Sequence, residues 1–241
     1  DTSPAELVDF QATATPTRLW KAGAGKGDGS TGIRQGPYID GGTVYAAWIK
    51  GGVRALDLQT GSTRWHHDSD LRFSGGPGAG DGLVAVGTLD GDVVALDAAT
   101  GAQRWTAKVP NEVIARPAVG QGLVNCCDND GRVTAFDAAT GERRWFWGRE
   151  LPALTVRGNA PVALAPGHAF VGTDDGKLEA LSLSDGRVLW EQEVGQPDGR
   201  TELERMADVD GAPVIDGSVV FASSYRNRTM AFEGHGAVAV A

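Results

Sequence analysis

The chain is poor in the residues that several common chemistries require. It has two cysteines, four histidines and two methionines among 241 residues. The cysteines are neighbours, Cys126 and Cys127, so there is no framework of spaced disulfide partners. They lie in LVNCCDNDG, which reads as a strand running into a turn. Successive strand side chains point to opposite faces, so two separately packed or exposed thiols are expected rather than a bridge. His66, His67, His168 and His235 have no partner at i, i+4 and no Cys-x-x-Cys companion. No set of three or four convergent zinc ligands is therefore visible. No run approaches the roughly 18 apolar residues of a membrane-spanning helix. Basic runs are missing too: 22 Lys and Arg face 31 Asp and Glu, for a net charge of −9. An acidic surface repels phosphate, which argues against nucleic acid as a partner. The opening DTSPAELVDF has neither a basic stretch nor an apolar one, so an exported form is expected to have lost its signal already.

Glycine, by contrast, is abundant at 35 residues, without a collagen period. Many glycines punctuate short apolar runs, and one phrase recurs around them. ALDLQTGSTRW (55–65), ALDAATGAQRW (95–105) and AFDAATGERRW (135–145) are three copies, with ALSLSDGRVLW (180–190) a looser fourth. Trp65, Trp105, Trp145 and Trp190 are spaced by 40, 40 and 45 residues. A phrase written at fixed period is architecture before it is chemistry. Within a unit, LVAVGT reads as a strand, LDGD as a tight hairpin, and VVALD as the next strand. AATG then turns the chain and AQRWTAKV returns, while ARPAVG leads into the following unit. Asp97 is expected to accept hydrogen bonds from Thr100 and nearby amides, and Gly101 to adopt a positive φ and offer a flat surface. Trp105 then lies across the boundary between units, with Ala95 small enough to receive an indole.

Three hairpin-linked strands and a leading strand in about 40 residues describe a propeller blade. The fold class is all-β: a β-propeller of four-stranded antiparallel blades, of which this chain supplies about four and a half. Residues 1–16 read as a tether, 17–233 as blades and 234–241 as a non-repeat tail. Trp20, with no Ala-x-Asp partner upstream, reads as a lone outer strand. The fifth unit begins with Ala231 in register and then departs from the pattern at Glu233, Ala237 and Ala241. The chain is thus expected to stop inside its fifth blade, leaving unpaired edges prone to association. GAGKGDGSTG (23–32) lacks the order of a phosphate loop and reads as a connection. DNDG (128–131) lacks the later ligands of a calcium loop and sits where other units place a hairpin.

Two connections break the repeat, and function on a rigid scaffold tends to occupy such loops. ELPALTVRGNAP (150–161) offers Leu154, Val156 and Arg157; GRTELERMADVDGAP (199–213) offers Arg205, Asp208 and Asp210. They occupy corresponding places in successive units and are expected to be neighbours on one face. An apolar pair beside Arg and two carboxylates suits a protein-binding patch. Equally, Arg157 paired with Asp208 or Asp210 would simply hold two long loops together.

The phrase A-x-D-x-x-T-G-x-x-x-W resembles the tryptophan-docking motif of quinoprotein-type propellers, a group of both enzymes and scaffolds. LPALTVRGNAPV and TELERMADVDGAPVIDGSVVFASSY, with RPAVGQGLV and VGTDDGKLEALSLSDGRVLWEQEV, resemble segments of the BamB family of outer-membrane assembly lipoproteins, over roughly residues 17 to 233. The resemblance implies an eight-bladed ring on the periplasmic side of the outer membrane, held by a lipidated N-terminal Cys that is not in this chain. It implies a non-catalytic scaffold without cofactor, which binds the POTRA domains of the insertase BamA and aids delivery of unfolded outer-membrane clients. Leu154, Val156 and Arg157 match one contact segment of that family, with Val156 where Leu is common; Asp208 and Asp210, near Arg205, match the other. The rival resemblance is to quinoprotein alcohol dehydrogenases, which bind PQQ and calcium and commonly set a Cys-Cys pair against the cofactor. Those enzymes are far longer, and their carboxylate-rich calcium site has no evident counterpart here.

Overall fold

Alternating short strands and Gly-bearing turns build five sheets. The computed structural model describes residues 11–23, 25, 35–149, 160–196, 206–209, 211–225 and 228–234. Blade 1 is β1 (Tyr38–Asp40), β2 (Thr43–Trp48), β3 (Gly52–Asp57) and β4 (Thr63–Asp68). Blade 2 is β5 (Gly78–Gly80), β6 (Leu83–Gly87), β7 (Asp92–Asp97) and β8 (Gln103–Lys108). Blade 3 is β9 (Ala118–Gly120), β10 (Leu123–Cys127), β11 (Val133–Asp137) and β12 (Arg143–Trp147). Blade 4 is β13 (Ala163–Ala165), β14 (His168–Gly172), β15 (Lys177–Ser182) and β16 (Val188–Glu193). The fifth sheet has three strands, β17 (Val214–Asp216), β18 (Val219–Ser224) and β19 (Arg228–Glu233). Strand order follows chain order in every sheet and all pairings are antiparallel, as the propeller expectation requires. The DNDG stretch closes the β10–β11 hairpin, with Gly131 N donating to the Asp128 carbonyl at 2.9 Å.

The repeated phrase does the structural work expected of it. Asp97 Oδ1 accepts from Ala99 N at 3.0 Å, from Thr100 N at 2.9 Å and from Thr100 Oγ1 at 2.9 Å. Asp57 and Asp137 repeat the arrangement. Hydrogen bonds from Arg64 and Arg104 hold the Asp57 and Asp97 carboxyls well below the usual carboxylate range, helped by the threonines. Fixing this turn presents a carbonyl and a bare glycine to the preceding blade. Trp65 Nε1 donates to Ala98 O, Trp105 Nε1 to Ala138 O and Trp145 Nε1 to Leu183 O, each at 2.8 Å. Every indole therefore docks on the turn of the next copy, on Gly101, Gly141 and Gly186 respectively. Gly141 has φ +76°, and a Cβ there would lie 2.7 Å from Trp105 Cδ2. Ala95 stands opposite Trp105 within its own sheet, so Ala and Gly supply room on two sides of the blade boundary.

Trp20 is a correction to the strand reading: residues 11–23 carry no assigned strand. Its indole nevertheless docks like the rest, donating to Leu58 O at 2.9 Å and lying on Gly61. Strand assignment needs a ladder partner, which docking does not. Trp190 is the loosest of the series, at 3.3 Å from Gly234 O, where the turn motif has decayed.

Between neighbouring blades lie four apolar clusters, and these are the core. Cys126 belongs to the cluster between blades 2 and 3, and Cys127 to that between blades 3 and 4. The two thiols are free and buried on opposite faces of β10, and burial pushes both pKa values up. Trp105→Ala is expected to cost about 3–5 kcal/mol by cavity formation and a lost hydrogen bond. Gly141→Ala should destabilise from the other side of the same contact. Urea unfolding checks both; unchanged midpoints would contradict indole docking as the fastener.

Candidate functional site: the connection face

In each blade the second hairpin and the connection to the next blade emerge at one end of the sheet. Both irregular connections, between β12 and β13 and between β16 and β17, therefore emerge at this end of neighbouring blades. Leu154, Val156, Arg157, Arg205 and Asp210 lie outside the described residues. Their flanks are described, and the structure brings them together. Pro161 from the first connection and Ala212 and Pro213 from the second border one central cavity of about 410 Å³. Tyr38 and Arg116 line it too, the guanidinium 5.0 Å from the ring centroid.

Asp208 is the one singled-out residue that the structure places, and it is not on the surface. It is fully buried, with Ala207 and Val209 buried on either side. Val209 N donates to Thr173 O at 3.1 Å, and Tyr225 N to Asp208 O at 2.7 Å, tying the segment to hairpins of blades 4 and 5. The fit depends on glycine: a Cβ on Gly172 would stand 2.3 Å from Val209 O. Asp208 is therefore placed behind the surface rather than on it. Residues 206–209 pack against the hairpins of blades 4 and 5.

The start of the first connection is anchored by residues that sequence reasoning missed. Arg149 pairs with the buried Glu179 of β15 and, at 3.2 Å, with Asp175 of the β14–β15 hairpin. Lys177 Nζ reaches Glu191 Oε1 at 2.9 Å beside it. Burial raises the Glu179 pKa, and Arg149 opposes the shift. The available signal was Glu179 itself, a charge set between the buried Leu178 and Ala180 of strand KLEALS. The described parts of both connections are therefore pinned to blade 4, Arg149 by ion pairs and residues 206–209 by close backbone packing.

Acid crowds this hairpin. Burial, then repulsion from Asp208, Asp175 and Asp130, pushes the Asp174 carboxyl up to about 6. Its ordinary value of 3.8 applies to the unfolded chain, so the folded state holds the proton more tightly. That stabilisation is present below about pH 4 and is lost as pH rises through about 6. Among the described residues no cluster of His, Cys, Asp and Glu has the makings of a metal site. Nor do the residues fit a PQQ site of the dehydrogenase kind, since the vicinal thiols are packed into two separate blade interfaces. Asp174→Asn is expected to melt higher than the parent above pH 6, with the difference gone by about pH 4. Parallel melting curves across that range would contradict the crowding.

Comparison with known proteins places this architecture. The family model described as "Outer membrane protein assembly factor BamB" matches residues 49–238. The BamB of Xanthomonas campestris pv. campestris is 58% identical over 96% of this chain and 59% of its own length. That of Pseudomonas aeruginosa is 49% identical over 95% of this chain and 60% of its own length. The chain thus spans less than two thirds of the relatives it matches. The crystal structure of BamB from Moraxella catarrhalis superposes with a TM-score of 0.79 at 26% identity, covering 86% of this chain and 63% of that one. A europium-containing methanol dehydrogenase has a TM-score of 0.67 at 15% identity, over 86% of this chain and 50% of its own, and shares the fold alone. With the family model covering most of its length, the chain belongs to the BamB family of outer membrane protein assembly factors.

Proposed function

We propose that this chain is part of a non-catalytic scaffold for the assembly of β-barrel outer-membrane proteins, working at the periplasmic side of the outer membrane. Its partner is the insertase BamA, engaged through POTRA domains by the connection face. The relatives named as assembly factors support the process. The observation that carries the surface is that two long, irregular connections emerge side by side at the same end of neighbouring blades, bordering one cavity.

In this reading Leu154 and Val156 are the apolar anchors, and Arg157, Arg205 and Asp210 the polar contacts that fix register. Arg149 and Glu179 hold the start of the first connection, and Asp208 lies buried behind the surface, none of the three touching the partner. Rigid support of this kind favours affinity, because less loop entropy is lost on docking. The acidic surface elsewhere steers a basic partner patch rather than adding much affinity. Delivery of unfolded clients follows from tethering the scaffold beside the insertase, and membrane contact is confined to an N-terminal lipid anchor.

The test is binding of this chain to the purified periplasmic domains of the insertase. Arg157→Ala with Asp210→Ala is expected to weaken binding by about 30-fold, roughly 2 kcal/mol, without lowering the melting temperature. A folded parent chain that does not bind, or a double variant that binds equally well, would overturn the assignment.

A further inference from the structure

The layers between blades are not equally well filled. One position on the second strand of each complete blade faces the blade that follows. It holds Tyr45, Ala85, Asn125 and Phe170, standing opposite Ala55, Ala95, Ala135 and Ala180. Tyr45 and Phe170 set a ring against the indole of their own blade, 5.9 Å from Trp65 and 5.7 Å from Trp190. Ala85 leaves the Trp105 indole to Phe136 of the next blade, 6.1 Å away. Asn125 brings an amide to the same place.

Asn125 is fully buried. Leu123 and Cys127, two residues to either side, pack in the layer between blades 3 and 4, so strand alternation turns Asn125 into that layer too. Among the described residues neither its Oδ1 nor its Nδ2 has a hydrogen-bond partner. A second polar group enters the layer from blade 4. Glu179 stands opposite Val171, a member of the layer, and so shares its face. Its Oε1 accepts from Arg149, while Oε2 is buried with no hydrogen-bond partner among the described residues. The chain also crosses this layer on a longer tether. Residues 148–162 separate β12 from β13, whereas 69–77 separate β4 from β5 and 109–117 separate β8 from β9. A buried polar atom regains its hydrogen bonds when water reaches it, so each such atom eases the opening of the layer that holds it.

We propose that the layer between blades 3 and 4 is a built-in seam, at which the propeller opens while the layer between blades 2 and 3 stays closed. Asn125 sets the ease of opening. The docked Trp145 indole and the Arg149–Glu179 pair are the latches released in that motion. The molecule carries its own reporters of it. Cys127 lies in the seam and Cys126 in the layer between blades 2 and 3, so adjacent residues of one strand sample the two layers. Burial pushes both thiol pKa values up, which keeps them unreactive while their layers are closed. The seam needs no contact with the insertase, so its failure leaves that reading intact.

Labelling of the folded whole chain with an aromatic disulfide reagent at mildly alkaline pH tests it. Cys127 is read in a Cys126→Ala chain and Cys126 in a Cys127→Ala chain, so the layer being read keeps its own thiol. Each rate is divided by that of the same chain unfolded in urea. Cys127 is expected to react about tenfold or more faster than Cys126, as a local opening requires. Asn125→Leu, similar in size and without polar atoms, should slow Cys127 by about tenfold and leave Cys126 unchanged. The comparison of the two thiols decides the matter even if Asn125→Leu fails to fold. Equal rates, as in opening by global unfolding, or a faster Cys126 would overturn the proposal. So would a folded Asn125→Leu chain that leaves Cys127 unchanged or slows both thiols alike.

Discussion

Everything in this molecule rests on an indole crossing from one blade to the next. A four-stranded sheet of short strands buries little by itself, and its two faces are both apolar. It becomes stable only when covered on each side, which is why the core here is four separate layers between blades rather than one centre. The docking Trp fixes the spacing of those layers, because its Nε1 must reach a single carbonyl while its ring lies flat on a glycine. The Asp–Thr turn fixes the position of that carbonyl and glycine through its own hydrogen bonds. Ala opposite the Trp, Asp two residues on and Gly four further are thus one device, and in blade 4, where Ser182 and Asp185 replace the Asp and Thr, the turn still receives Trp145 at 2.8 Å.

Blade 4 holds the first irregular connection through Arg149 and Glu179, and the second through the close approach of residues 206–209 to Gly172 and Gly176. Concentrating buried carboxylates at this end of the blades has a cost, visible in the upward shifts at Asp128, Asp174 and Glu179. That cost falls on stability at neutral pH. The thiol pair follows the same logic of layers: Cys126 and Cys127 serve two different interfaces, as small apolar side chains would.

The fold was legible because docking demands the same residues in every copy, so Trp65, Trp105 and Trp145 announce the blades without any tertiary information. The receiving partner was harder to read: Gly141 and Trp105 sit in different copies, and nothing local says that the indole reaches forward to the next turn. Trp20 shows the complementary limit, since the motif marks an outer strand but a strand exists only beside another strand. At the site, the two connections stood out as breaks in the period. Asp208 was visible as a carboxylate, yet its burial comes from packing against hairpins of blades 4 and 5, which spacing does not encode. Arg149 and Glu179 are thirty residues apart, and only the charge set between buried apolar residues hinted that a partner was needed.

The central claim is that this propeller meets the insertase with its connection face. Hydrogen exchange of the chain, alone and with the insertase's periplasmic domains, tests it most directly, because it reports on every segment at once. The account predicts new protection in peptides covering 149–161 and 199–213, with the Asp–Thr turns at 57–61, 97–101 and 137–141 unchanged. Protection gathered on those turns, at the opposite end of the blades, or spread along the outer strands instead, would contradict it.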